Sequence, residues 1–344
     1  MTPLLQANNI TKVFGGGLMS REQTVALRNF SFTIDVAQPT ITGIVGESGS
    51  GKSTMARLLL GLETPSMGEV CYRGADLRRL TGSERRAFRT EVQAVFQDPF
   101  EVFNSIYRVD HVLETPIRKF GLARSRRERQ QLMVESLQAV GLRPEETLGR
   151  FPHQLSGGQR QRIMVARALL LKPKVIIADE PVSMIDASLR ATVLANLRQL
   201  RDEFGISLIY ITHDLTTAFQ ICDDIIVLYR GGVAEAGSAE RVVQDPQHPY
   251  TQLLVGSIPR PDPDRIWPEE PTPSPLAAKA APERGCLFAN RCPHTFEPCL
   301  QEAPPFFRMA PHQAATCYLH REAPVLPFAE MDQLLKGGRT KDEG

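Results

Sequence analysis

The run Gly46-Glu47-Ser48-Gly49-Ser50-Gly51-Lys52-Ser53-Thr54 constrains this chain more than any other feature. It follows the apolar segment Ile41 to Val45, which reads as a buried strand, and it opens a helical pattern from Lys52 to Leu60. A Gly-rich turn between strand and helix lets backbone N–H groups converge on an anion, and the helix N-terminus adds positive potential. In this spacing the run is a phosphate cradle, in which Lys52 reaches the β and γ phosphates and the Ser53 hydroxyl binds Mg²⁺.

A second element completes that chemistry. Val175-Ile176-Ile177-Ala178-Asp179-Glu180 is an apolar strand ending in two carboxylates. Asp179 is the metal ligand in this reading, and Glu180 the general base on a water. Further strands are predicted at Val92 to Phe96, Lys174 to Ala178, Ile206 to Ile211 and Ile225 to Tyr229, with helices at Ala187 to Glu203 and Leu215 to Ile221. Nearly continuous apolar strands alternating with helices predict an α/β fold with a parallel sheet covered on both faces. From about 104 to 171 the pattern is helical, with no strand.

Leu155-Ser156-Gly157-Gly158-Gln159, followed by Arg160-Gln161-Arg162, is another Ser/Gly loop at a helix start. This pentapeptide resembles the signature of the ATP-binding cassette superfamily. The resemblance implies a P-loop core with an antiparallel β subdomain and a helical subdomain. It also implies a head-to-tail dimer, in which Ser156, Gly157, Gly158 and Gln159 of one subunit cap the γ-phosphate of ATP bound by the other. The remaining motifs follow in the superfamily's order. Gln97 matches the glutamine that touches Mg²⁺ and the attacking water, and His213, in Thr212-His213-Asp214, matches the switch histidine. Asp186 closes Ser183-Met184-Ile185-Asp186, where relatives usually carry Ser-Ala-Leu-Asp. Phe14, just before Gly15 to Gly17, is the candidate base-stacking aromatic.

At 344 residues the chain is long enough for about two domains, and 42% apolar with 23% charged residues excludes wholesale disorder. A net charge of +1 argues against a nucleic-acid partner. The start, MTPLLQANNITKVF, has no basic region leading into an apolar stretch, and no run reaches the length of a spanning helix. A cytosolic chain, held at a membrane only by partners, is the expectation.

Pro259, Pro261, Pro263, Pro268, Pro271, Pro273, Pro275 and Pro282 fall within 24 residues and predict an extended linker. The segment beyond it, 284 to about 320, is poor in regular pattern. The organisation expected is therefore a nucleotide-binding domain over 1–255, a linker over 256–283, a Cys-bearing region over 284–325 and a tail over 326–344.

Cys71 and Cys222 read as buried structural thiols. Cys286, Cys292, Cys299 and Cys317 fall within 32 residues at C-x5-C-x6-C-x17-C, which matches no C-x2-C zinc pattern. Four thiols in a small segment lacking its own core point to a metal-nucleated fold, with zinc and free thiols as the alternatives. Gln247-His248-Pro249-Tyr250-Thr251, Ser257-Ile258-Pro259, Gly285-Cys286-Leu287-Phe288 and Arg291-Cys292-Pro293 resemble the C-terminal extension of the oligopeptide and dipeptide permease ATPases. That resemblance covers residue 4 to about 320 and implies a [4Fe–4S] cluster on the four cysteines.

It further implies an ATP-hydrolysing subunit of an importer, peripheral on the cytoplasmic face of the inner or plasma membrane. Its implied partners are a second, paralogous cassette, two integral permease subunits and, indirectly, a substrate-binding protein. The segment Asp98-Pro99-Phe100-Glu101-Val102-Phe103-Asn104-Ser105 departs from the Ser-Leu-Asn-Pro usual in peptide members, so oligosaccharides, glycosides or nickel are alternative cargoes. A soluble cassette acting on nucleic acid or the ribosome is the rival from another class, supported only by the basic run Arg118 to Arg129.

Overall fold

The structure, a computed structural model, describes residues 2–15, 23–96, 103–183, 185–258, 272–279 and 284–335. Contacts divide the chain into two compact units, Met1–Asp35 with Thr40–Arg79 and Ile211–Gly344, and Val36–Pro39 with Leu80–Tyr210.

The first unit opens with β1 (Leu5–Gly15), β2 (Gln23–Ile34), β3 (Ile41–Val45), helix α1 (Lys52–Leu59), β4 (Met67–Tyr72) and β5 (Ala75–Asp76). Strands β2, β1, β4 and β5 form, in that order, an antiparallel sheet, with Leu5 opposite both Ile34 and Tyr72. This is the expected antiparallel subdomain.

The second unit contains α2 (Gly82–Glu91), β6 (Val92–Val95), α3 (Asp110–Phe120), α4 (Arg126–Ala139), α5 (Pro144–Thr147), α6 (Gly157–Leu169), β7 (Val175–Asp179) and α7 (Ala187–Asp202). Helices α3 to α6 occupy the stretch predicted to lack strands. Capping boxes start α2 at Thr81 and Glu84 and α4 at Ser125 and Glu128, each satisfying two backbone donors that a helix start leaves unpaired. Strands β6 and β7 are parallel, with Val92 opposite Val175 and Val95 opposite Ala178. Strand β8 (Ser207–Thr212) lies beside β7 and carries the chain back into the first unit.

There follow α8 (Leu215–Ile221), β9 (Asp224–Tyr229), β10 (Gly232–Ser238), α9 (Ala239–Gln244), α10 (Pro249–Gly256), α11 (Glu297–Gln301), β11 (Phe307–Ala310), β12 (Gln313–Ala315) and α12 (Asp332–Leu335). Within this unit β3 pairs parallel with β9, and β10, β12 and β11 continue the sheet antiparallel. Every residue of β3, β8 and β9 is buried, which is why these strands read as unbroken apolar runs.

The segment 284–320, poor in regular pattern as a sequence, supplies two short strands. Residues 313–315 pair with 235–237 of β10, and 307–310 extend the sheet beyond them. Strands of three and four residues are too short for periodicity to register, and β10, with sequence GVAEAGS, has weak strand propensity. The buried Glu235 ties the parts together. Its carboxylate accepts from the N–H groups of Gln247 at 3.0 Å and His248 at 2.9 Å and from the Gln313 amide at 2.9 Å. Pro275 opens a short 3₁₀ turn (Pro275–Lys279) and Pro273 lies two residues before it; 259, 261, 263, 268, 271 and 282 lie outside the described residues.

One core carboxyl makes stability pH-dependent. Asp224, at the head of β9, is 1% exposed, and its Oδ1 has no hydrogen-bond partner among the described residues. Burial first, and the neighbouring Asp223 charge second, push its carboxyl up from 3.8 to about 8. Between these values the folded chain holds a proton that the unfolded chain has released. Stability contributed here is therefore full below the unfolded value and falls as pH rises toward 8, by at most about 1.4 kcal/mol per pH unit. Asp224→Asn should flatten that slope in urea melts at pH 5 and pH 8; an unchanged slope would remove Asp224 as its source.

Candidate functional site

The loop after β3 owes its shape to two crowded glycines. A Cβ on Gly46 would lie 2.2 Å from the Leu228 carbonyl oxygen, and one on Gly51 would lie 2.3 Å from that of Ala26. Gly51 also has φ of 103°, a conformation L residues rarely adopt. Ser50 donates its N–H to the Glu47 carbonyl at 3.1 Å, and its own carbonyl accepts from Gly231 at 2.9 Å, pinning the loop to the β9–β10 turn. The Lys52 side chain is 6% exposed, and its ammonium donates to the carbonyls of Gly46 at 2.7 Å and Glu47 at 2.9 Å. A buried cation at the N-terminus of α1, ringed by backbone, suits an anionic ligand. Ser48, Gly49 and Ser53 are exposed along this loop and Thr54 is half-buried.

The first unit also carries His213 and Phe14. His213 is exposed between β8 and α8, where Asp214 caps the helix by accepting from Thr216 and Thr217. Phe14 lies on β1 opposite Thr24, is 40% exposed, and has the Lys12 ammonium 4.9 Å from its ring centroid.

The second unit carries the paired carboxylates and the Ser/Gly loop. Asp179 ends β7, and Glu180 follows with φ of 46°, a left-handed conformation costly for a non-glycine residue. Ser183 holds it there, donating from its hydroxyl to the Glu180 carbonyl at 3.0 Å and from its N–H at 3.3 Å. No signal in the sequence announces that conformation. Ser156 caps α6: its hydroxyl accepts from the Gln159 N–H at 3.2 Å, while the Gln159 side chain accepts from the Ser156 N–H at 2.9 Å. A hydroxyl accepting in a cap still has its O–H to donate, and Ser156 is exposed. Gly157 is half-buried, and Gly158 is buried with a would-be Cβ 3.3 Å from Leu189. Asp186 sits at the start of α7, its carbonyl accepting from Leu189 and Arg190. Gln97 and Met184 lie outside the described residues.

Of the metal candidates, Ser53 and Asp179 offer hard oxygen donors, the kind Mg²⁺ takes. The four cysteines belong to the first unit. Cys292, Cys299 and Cys317 are buried and Cys286 half-buried; the Cys286 N–H donates to the Cys299 carbonyl at 2.8 Å. Burial first, with the charges of neighbouring cysteines adding to it, pushes the Cys286 thiol up to about 11 and that of Cys317 up to about 12. Cysteine thiolates are the donor type that iron–sulfur ligation takes. Among the described residues, no group of three or more His, Cys, Asp or Glu side chains is arranged to hold a metal ion. Cys71 and Cys222 are buried, as expected of structural thiols.

A phosphate loop closed on a buried lysine, a strand-end carboxylate pair and a capped Ser/Gly helix start define an ATPase of the ATP-binding cassette class. Residues 27–183 match the ABC transporter family model, and residues 234–299 match the C-terminal region of oligopeptide/dipeptide transporters. A Brucella ovis protein named for peptide import and ATP binding is 38% identical over 92% of this chain and 98% of its own length. The dipeptide transport ATP-binding protein DppF of Escherichia coli is 40% identical over 88% of this chain and 90% of its own. Among solved structures, a dimeric ATP-binding cassette in a post-hydrolysis state with ADP and Pi aligns with a TM-score of 0.60 at 31% identity, covering 68% of this chain and 98% of that one. The cassette cbiO1 from Clostridium perfringens, part of an ABC transporter complex, aligns with a TM-score of 0.61 at 25% identity, covering 71% and 92%.

The chain belongs to the ATP-binding subunits of the oligopeptide/dipeptide family of ABC transporters. It is an ATP-hydrolysing subunit of a multi-subunit importer. Among the described residues no helix is long and apolar enough to cross a membrane.

Proposed function

We propose that this subunit drives import of di- or oligopeptides, working peripherally at the cytoplasmic face of the membrane. The observation that carries the reading is the match of residues 234–299 to the C-terminal region of oligopeptide/dipeptide transporters. The cassette occupies 1–255 with its helical part at about 104–171, the linker 256–283, the Cys-bearing region 284–325 and the tail 326–344.

In this reading the backbone of 46–54 and Lys52 bind the ATP phosphates, and Phe14 stacks on the base. Ser53, Gln97 and Asp179 hold Mg²⁺, whose chemistry is neutralisation of phosphate charge. Glu180 takes a proton from the attacking water, Gln97 orients that water, and His213 contacts the γ-phosphate. Ser156, Gly157, Gly158 and Gln159 reach ATP held by a second, paralogous cassette, and Asp186 lies in the segment that couples the two. Partners are that cassette, two integral permease subunits and, through them, a substrate-binding protein, with no nucleic acid. Cys286, Cys292, Cys299 and Cys317 hold a [4Fe–4S] cluster, which when bound supplies a covalent staple capable of one-electron chemistry.

The test is reconstitution with the membrane subunits in lipid. Peptide-loaded binding protein should stimulate ATP hydrolysis, and the anaerobically purified chain should be coloured and carry iron and sulfide. Stimulation only by sugar- or nickel-loaded binding protein would move the cargo. Recovery with ribosomes or DNA and no integral partner would sink import, and a colourless, zinc-loaded chain would remove the cluster.

A further inference from the structure

Glu47 is the second residue of the phosphate loop, yet two of its partners come from segments far downstream. Its N–H donates to the Tyr250 hydroxyl at 2.9 Å. Its carboxylate receives Arg291, whose Nη1 lies 3.2 Å from Oε1 and 3.0 Å from Oε2. The Glu47 carbonyl, in the next peptide unit, accepts from the Lys52 ammonium and the Ser50 N–H.

These two partners are themselves fixed by packing. Tyr250, fully buried on α10, has its ring centroid 4.5 Å from that of Tyr229 and 5.5 Å from that of Phe288. Phe288, 2% exposed, meets Tyr229 edge-on at 5.3 Å, and the Arg291 guanidinium sits 5.8 Å from the Phe288 ring. Arg291 donates its N–H to the Phe288 carbonyl at 3.0 Å in the turn that spans Cys286 and Cys292. A rigid aromatic cluster thus aims one hydroxyl and one guanidinium at a single loop residue.

The charge balance gives that aim a purpose. A carboxylate in a loop built for a triphosphate repels its ligand, and a guanidinium on it cancels the repulsion. Fixing the Gly46–Glu47 peptide also fixes the entry to the turn that runs through Ser48 and Gly49 to the start of α1.

We infer that Tyr250 and Arg291 are positioning residues of the ATP site: Tyr250 sets the Glu47 peptide, Arg291 holds and neutralises its carboxylate, and the four-cysteine segment thereby forms part of the phosphate loop's support. This rests on the reading that residues 46–54 bind the nucleotide phosphates.

The experiment is binding of a fluorescent ATP analogue to the full chain and its variants, with nucleotide-free melting midpoints and iron content measured alongside. Arg291→Gln should weaken binding about two- to fivefold, since this ion pair is partly solvent-screened, and Arg291→Lys should recover part of that loss. Tyr250→Phe, which strands the Glu47 N–H, should weaken binding about tenfold. In a Glu47→Gln background the effect of Arg291→Gln should vanish. Unchanged affinity in Arg291→Gln and Tyr250→Phe overturns the inference, as does an undiminished Arg291→Gln loss in the Glu47→Gln background. A matching fall in the nucleotide-free melting midpoint or iron content, unrelieved by Arg291→Lys, also overturns it. Lys52→Ala serves as the separate control: binding retained there would mean that the loop itself had been misread.

Discussion

Glu180→Gln should leave ATP binding intact while turnover falls about 10²- to 10⁴-fold, the range that a general base supplies. The amide is nearly isosteric with the carboxylate, so the backbone can keep φ of 46° and the two bonds from Ser183 to the Glu180 carbonyl. What is lost is the ability to accept a proton at neutral pH. ATP would then stay bound, and the nucleotide-closed cassette dimer would accumulate. Phosphate release and the elution volume with ATP check the two halves of this expectation. Wild-type turnover would remove Glu180 as the base, whereas lost binding would show that it supports the site in another way.

The second large effect is expected at Gly51. Gly51→Ala combines a backbone at φ of 103° with a Cβ placed 2.3 Å from the Ala26 carbonyl oxygen, which is backbone and has little freedom to retreat. Strain and overpacking together should cost about 2–5 kcal/mol and distort the start of α1, where Lys52 must stand. Nucleotide binding should be lost. Gly49→Ala is the matched comparison, because Gly49 has φ of 79° but a Cβ there meets nothing within 4 Å. It should cost only about 1 kcal/mol of strain and keep measurable binding. Equal effects of the two substitutions would refute steric closure by β2 as the reason for Gly51.

The core strands were legible because their physics is local. Strand Ile41–Val45 and helix Leu215–Ile221 coincide with the predicted bounds, and the other core strands differ by a residue or so at their ends. Complete burial turns a parallel strand into an apolar run, and a run is visible in one dimension. The sheet edge was not. Strands β10, β12 and β11 are short, and β12, on which β11 builds, joins β10 through pairing between residues about 80 positions apart, with Glu235 and Gln313 supplying the link. Such pairing leaves no periodicity to read.

For the site, residue identities at fixed spacing named the phosphate loop, the carboxylate pair, the Ser/Gly helix start and the cysteine group. Each motif is a short segment whose chemistry depends on its own neighbours: a helix start, a strand end, a turn. The tertiary structure decided which groups act on those segments from a distance. It closes the loop at Gly51 with the carbonyl of Ala26 and brings Tyr250 and Arg291 onto Glu47. The sequence by itself thus determined the class of chemistry, which lives in local backbone and side-chain type. Only the fold settled the support of that chemistry, because a hydrogen bond or ion pair between residues 47 and 291 depends on the path of the whole chain between them.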